Sequence, residues 1–256
     1  MPSFALIVVL ATQVGGAIPC LSHPVVLPKN LSVRAPGFVQ EAPSVVAPEG
    51  GPITLDGILK TEEWASAARH PFPGGEVLFQ SQGELVAVGV RGSQAGFPHI
   101  ALSAGDSVWV LHASAALGKV VYARSGQVWN LITPPTWEVR NPSLTPAAEE
   151  ERERYLRANG WVGTTGRMGK PGETEFLIRM DAFGWDGLRL AVAHLAPEFP
   201  GETTRWPETT PDNVGTLQLL TGPMPERLEF TPNQWARLLV SLGNRVPPGN
   251  ELRRPS

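Results

Sequence analysis

Cysteine is nearly absent from this chain. Cys20 is the only one, which excludes an intramolecular disulfide and any metal cluster built on thiolates. Excess positive charge is missing too: 21 Lys and Arg stand against 24 Asp and Glu, a net charge of −3. No basic field is available for a nucleic-acid backbone or an anionic lipid surface, so nucleic acid is excluded as a partner. Aspartate is scarce and scattered, five in all, whereas calcium wants six to eight oxygens. The histidines, His23, His70, His99, His112 and His194, show neither His-x-His nor His-x-x-x-His spacing, which argues against zinc. No apolar run approaches the roughly 20 residues that a membrane-spanning helix requires. Lysine is rare, four against 17 arginines, a skew that reads as codon usage of a bacterial kind and not as chemistry. Tyrosine is rarer still at two, beside eight Trp and nine Phe.

Turn formers are plentiful instead. Gly (27) and Pro (26) make about a fifth of the 256 residues, which favours short strands and argues against a helical bundle. The chain begins with a compact apolar run, Phe4–Ala11, followed by small residues at Gly15 and Ala17. That order fits a cleavable signal peptide over residues 1–22 and a secreted or periplasmic destination. A Pro-rich lead or linker is expected over 23–51.

From Ile53 onward the chain reads as strands at Ile53–Leu55, Glu76–Gln80, Glu84–Arg91, Asp106–Ala113, Lys119–Arg124, Gln127–Ile132, Trp161–Thr165, Thr174–Met180, Leu188–Leu195 and Thr216–Leu220. Gly83 and Gly126 sit where hairpins need positive φ. Leu85, Ala87 and Gly89 alternate with Val86, Val88 and Val90, so that strand is apolar on both faces and belongs mid-sheet. Thr145-Pro146 caps a charged, solvated helix that Gly160 stops. Thr231-Pro232-Asn233-Gln234 resembles a capping box, and Trp235, Leu238, Leu239 and Leu242 follow at helical spacing, predicting a second, C-terminal helix. The expected fold is mainly β: a two-sheet antiparallel β-sandwich over 52–222 with a short inserted helix, then the C-terminal helix and a loose tail over 223–256.

The most specific segment is Ile53-Thr54-Leu55-Asp56-Gly57, followed by Thr61-Glu62-Glu63-Trp64-Ala65. It reads as an extended piece, an Asp-Gly turn held by an Asx bond, and one helical turn that sends Trp64 into the core. It resembles the N-terminal signature of family 9 carbohydrate-binding modules, within the wider DOMON-like group of β-sandwiches with jelly-roll or immunoglobulin-like architecture. Glu84–Val90, Gly105–Val110, Glu175–Ile178, Leu188–Val192, Trp206-Pro207 and Gly215–Leu217 resemble later strands of that family in the same order. The resemblance spans about Pro52 to Leu220 and implies non-catalytic binding of a carbohydrate or similar polyhydroxylated ligand. It further implies a sugar ring held between two aromatic side chains. Trp206 matches one of them; where the family carries the other, this chain has Phe97 and His99. Arg205, Glu208 and Asp106 would contact hydroxyls.

Other readings stand beside it. Related DOMON-like domains bind haem, for which Met168, Lys170, His112 and His194 offer axial ligands without a spacing that singles one out. Asp106 is the place for a calcium ion, though no acidic cluster surrounds it. A hydrolase is disfavoured: Asp106, His112 and Ser114 share one strand, no nucleophile elbow occurs, and Glu175, Glu198, Glu202 and Glu208 single out no carboxylate pair. A plain protein-interaction module is the remaining alternative. Trp129, Trp137 and Trp161 flank the charged helix as an aromatic wall or as packing, and Trp185 lies in a turn.

Overall fold

The computed structural model describes residues 42–93, 96–166, 172–184, 187–195, 203–208 and 224–240. Its strands are β1 (Ser44–Ala47), β2 (Ala68–Phe72), β3 (Gly75–Gln82), β4 (Leu85–Gly92), β5 (Phe97–Ala104), β6 (Ser107–Ala113), β7 (Ala116–Ser125), β8 (Val128–Val139), β9 (Trp161–Thr165), β10 (Glu173–Arg179), β11 (Arg189–Leu195), β12 (Thr203–Trp206), β13 (Arg227–Leu228) and β14 (Ala236–Val240). They form two sheets. The larger runs β1-β14-β11-β5-β6-β7-β8-β13 with β12 also beside β11, and the smaller runs β2-β3-β4-β10-β9. The smaller sheet is antiparallel, whereas β1 joins β14 in parallel and makes the larger one mixed. The architecture is a mainly β sandwich.

Alternation explains the layers. Ile100, Leu102, Leu111, Leu190 and Val192 of the larger sheet meet Val77, Phe79, Val86, Val88, Phe176 and Ile178 of the smaller one in a common core. β4 sits mid-sheet, as its two apolar faces predict. Its other face, Leu85, Ala87 and Gly89, lies under the segment 53–67, where Leu59 and Trp64 are buried. A Cβ on Gly89 would stand 2.7 Å from Leu59 Cδ2 and 3.0 Å from Trp64 Cη2, so only glycine leaves room for that ring. Helix α1 (Pro146–Asn159) has the expected ends: Thr145 accepts from the Ala148 N–H, and Gly160 adopts φ 78°. Gly83 (φ 62°) and Gly126 (φ 64°) turn their hairpins as predicted.

Three expectations need correction. The C-terminal helix does not form. Pro232–Gln234 makes a single 3-10 turn, after which the chain extends as β14 between β1 and β11. Ala236 and Leu238 are buried while Arg237 and Leu239 are exposed, so the same residues satisfy a period of two. The open edge of β11 supplies backbone partners that a surface helix would lack. Ile53–Leu55 joins no sheet. The sandwich also reaches beyond 52–222, because β1 lies in the Pro-rich lead and β14 in the expected tail. The strand predicted at Thr216–Leu220 and the segment 1–22 lie outside the described residues.

The 53–67 segment is held by one buried carboxyl group. Glu175 of β10 accepts the backbone N–H of Asp56 (3.0 Å) and Gly57 (2.8 Å) at Oε2, and the Trp64 indole N–H (3.2 Å) at Oε1. Gly57 needs its positive φ of 77°, and a Cβ there would stand 2.2 Å from the Gly166 backbone nitrogen. The Asx bond is present, with Ile58 N–H donating to Asp56 Oδ1 at 2.9 Å. Around it, Glu173 Oε2 accepts Leu59 N–H, and Arg91 ties Glu173 (2.7 Å), Glu76 and the Leu59 carbonyl together.

Burial pushes the Glu175 carboxyl up to about 8, against the pull of its three donors, from an ordinary 4.5. Between those values the folded chain keeps a proton that the unfolded chain has released. Stability therefore falls as pH rises through that window. In Glu175→Gln an amide N–H₂ must face one of the donors. We expect the variant to be less stable by about 1–3 kcal/mol near pH 5, and its urea midpoint to lose the wild-type decline between about pH 6.5 and 8, above the range in which the buried histidines take up protons.

Candidate functional site

Trp206 is a core residue. It is 5% exposed and lies between the sheets, with its ring 5.3 Å from His70 and 5.2 Å from Phe79. Opposite Val192 in the β11–β12 pair, it shares the inner face with Ile100. Phe97 and His99 alternate with Ile100 and face the other way, so the larger sheet itself separates them from Trp206. The expected aromatic sandwich is therefore not assembled. The physical reason is strand parity: Trp206 falls on the core side of its strand.

On the outer face, register aligns Trp137, Gly118, His112, His99, Ala193 and Arg205 across β8, β7, β6, β5, β11 and β12. His112 Nδ1 and His99 Nε2 share a hydrogen bond at 3.2 Å. The His112 ring meets Phe97 at 5.9 Å and Trp137 at 5.6 Å. Trp137 lies over Gly118, whose Cβ would stand 2.5 Å from the indole, and it is 41% exposed. Phe97, His99 and Arg205 are thus brought to one face, while Glu208 is exposed just after β12. Burial drives both imidazoles down, His112 to about 4 and His99 to about 3, so both are neutral at pH 7.

Asp106 lies elsewhere. It occupies the β5–β6 turn, exposed, about 20 Å along β5 from Phe97 at a rise of about 3.3 Å per residue. Ser114 is at the opposite end of β6, with its hydroxyl bonded within the turn to Ala116, so Asp106, His112 and Ser114 form no triad. His112 and His194 are buried, while Met168, Lys170 and Trp185 lie outside the described residues, as do Glu198 and Glu202. Among the described residues no three His, Cys, Asp or Glu side chains gather as a metal site, and none joins Asp106 to hold calcium. Trp129 and Trp161 are buried and form no wall.

At the Asp106 end of the same outer face is a cleft of about 540 Å³. Segment 224–235 makes one wall: Met224, Phe230 and Trp235 cover Ala101, Val108, Val110, Val120, Tyr122 and Ala191. Trp129 Nε1–H donates to the Phe230 carbonyl (3.1 Å) and Tyr122 OH to that of Pro225 (3.1 Å), which fixes that wall to the sheet. The hairpin turns at Gly105 and Gln127 make the other. Ser103, Arg124, Gln127, Arg189, Thr231 and Asn233 bring polar groups to it, above Trp129 and Phe230. Thr231 Oγ1 is buried without a hydrogen-bond partner.

No family model, curated protein or solved structure matches the chain.

The site is therefore read from its own chemistry. The cleft was invisible in the sequence because its polar residues come from four separated stretches. The sole local signals were the Ser125-Gly126 turn beside Arg124 and Gln127, and the Thr231-Pro232 turn mistaken for a helix start.

Two outcomes follow for these residues. Trp206→Ala removes a buried ring and should lower stability by about 3–5 kcal/mol in urea unfolding, the signature of a core residue. With both imidazoles held below the ordinary 6.5, the unfolded chain takes up protons first, so stability is lost as pH falls below that value. His112→Phe should retain more of its pH 7 unfolding midpoint at pH 5 than the wild type does.

Proposed function

We propose that this protein binds a carbohydrate or similar polyhydroxylated ligand in the outer-face cleft, without chemically altering it, and that it does so after export. The supporting observation is the lining: hydroxyl, amide and guanidinium groups converge on a cleft of about 540 Å³ carried on a rigid sheet. Such volumes suit small ligands, and hydroxyl-rich ligands need this mixture of donors and acceptors. Among the described residues that line it there is no carboxylate, imidazole or thiol. That leaves Ser103 and Thr231 without a base and favours binding over catalysis. The resemblance to carbohydrate-binding modules points the same way, with the site moved from Trp206 to the cleft.

The test is a glycan array probed with wild-type protein and with Gln127→Ala and Asn233→Ala. Each variant gives up side-chain hydrogen bonds worth about 1 kcal/mol, a five- to tenfold weakening. Wild-type signal in both variants would move the site away from the cleft.

A further inference from the structure

We infer that the ligand is acidic: a sugar carrying carboxylate or sulfate groups, which pair with Arg124 and Arg189. This rests on the cleft being the carbohydrate site. Among the described residues of its lining, Arg124 and Arg189 are the charged ones. Both side chains rise on the outer face, Arg124 beside Trp129 across the β7–β8 pair and Arg189 beside Ser103 across the β5–β11 pair.

Each guanidinium is positioned but not neutralised. Arg189 Nη1 donates at 3.3 Å to the carbonyls of Asn233 and Trp235, and Arg124 Nε donates at 3.0 Å to that of Gly126. Among the described residues neither has a carboxylate partner, although Arg69, Arg91, Arg157 and Arg179 each do. Among the described residues, the acids next in sequence to the lining are Asp106 and Glu229, both exposed and paired with neither arginine; Asp186, beside Gly187, lies outside the described residues. Register also sets Arg237 of β14 directly opposite Arg189. Like charges in that relation repel unless a counter-charge is present. The forked N–H groups that Arg124 and Arg189 leave unused match the oxygens of carboxylate or sulfate groups, and the Thr231 hydroxyl, without a hydrogen-bond partner, can donate to one of them.

The experiment uses an array of uronate and sulfated glycans beside their methyl-esterified and unsulfated counterparts, read at low and at physiological salt. Acidic members should bind at least about tenfold more tightly than matched neutral ones, and the margin should shrink with salt. Arg124→Gln and Arg189→Gln should each weaken the acidic members about tenfold more than they weaken the neutral ones, so that the margin shrinks. Arg124→Gln is the cleaner variant because Arg189 also braces segment 233–235; thermal melting checks that both variants fold. Whether uronates or sulfated glycans respond identifies the anion. Equal binding of acidic and neutral members would overturn the acidic ligand and leave the carbohydrate site standing. A margin unchanged in both variants would overturn the role of these arginines, and a blank array would overturn both readings.

Discussion

The buried carboxyl of Glu175 is the constraint on which the smaller sheet depends. A β-sheet inside a sandwich has a second face that must be solvated or covered, and here Leu78, Ala87, Gly89 and Leu177 make it apolar. The 53–67 segment covers it without joining the sheet, so its backbone N–H groups need acceptors from elsewhere. Glu175 takes two of them, and the Trp64 indole N–H as well. That arrangement accounts for the Asp-Gly pair, for the tryptophan seven residues after Gly57, and for the glycine beneath the indole. A motif suggestive of ligand binding is, at these residues, a device for closing the fold.

The larger sheet solves the same problem differently and incompletely. Segment 224–235 covers its outer face at one end, sealed by Trp129, Phe230 and Trp235. The cover meets hairpin turns whose side chains are polar, and a cleft remains between them. At the other end Trp137 lies partly exposed over Gly118, beside a buried histidine pair kept neutral by desolvation. Chemistry thus concentrates on one face of one sheet, while the space between the sheets is reserved for packing, Trp206 included.

Most strands could be read from the sequence because alternation and turn glycines are local signals. Glu76–Gln80, Glu84–Arg91, Asp106–Ala113 and Trp161–Thr165 all fall within a residue or two of observed strands. The charged helix was equally legible from its two caps. β5 was not, since Phe97-Pro98-His99 carries a proline and a histidine where a strand pattern expects neither. β1 and β14 escaped for a related reason: each is short, and each is strand-like only because the other, or β11, offers it an edge. Arg237-Leu238-Leu239 fits either period, and hydrogen-bond supply at that edge decides between them.

The site divides along the same line. Residue types were readable: a tryptophan-rich chain with histidine and serine in apolar strands and an arginine surplus over lysine. Which face each residue occupies was not, because a side chain's side of the sheet depends on register, and register is a relation between segments far apart in the chain. By itself the sequence determined a β-rich, turn-punctuated chain with a capped charged helix and a Trp-bearing closure segment. Only the tertiary structure buried Trp206, gathered Phe97, His99, His112 and Trp137 on the outer face, and set Arg124 and Arg189 around one cleft, since such placements come from pairing and packing that no local pattern encodes.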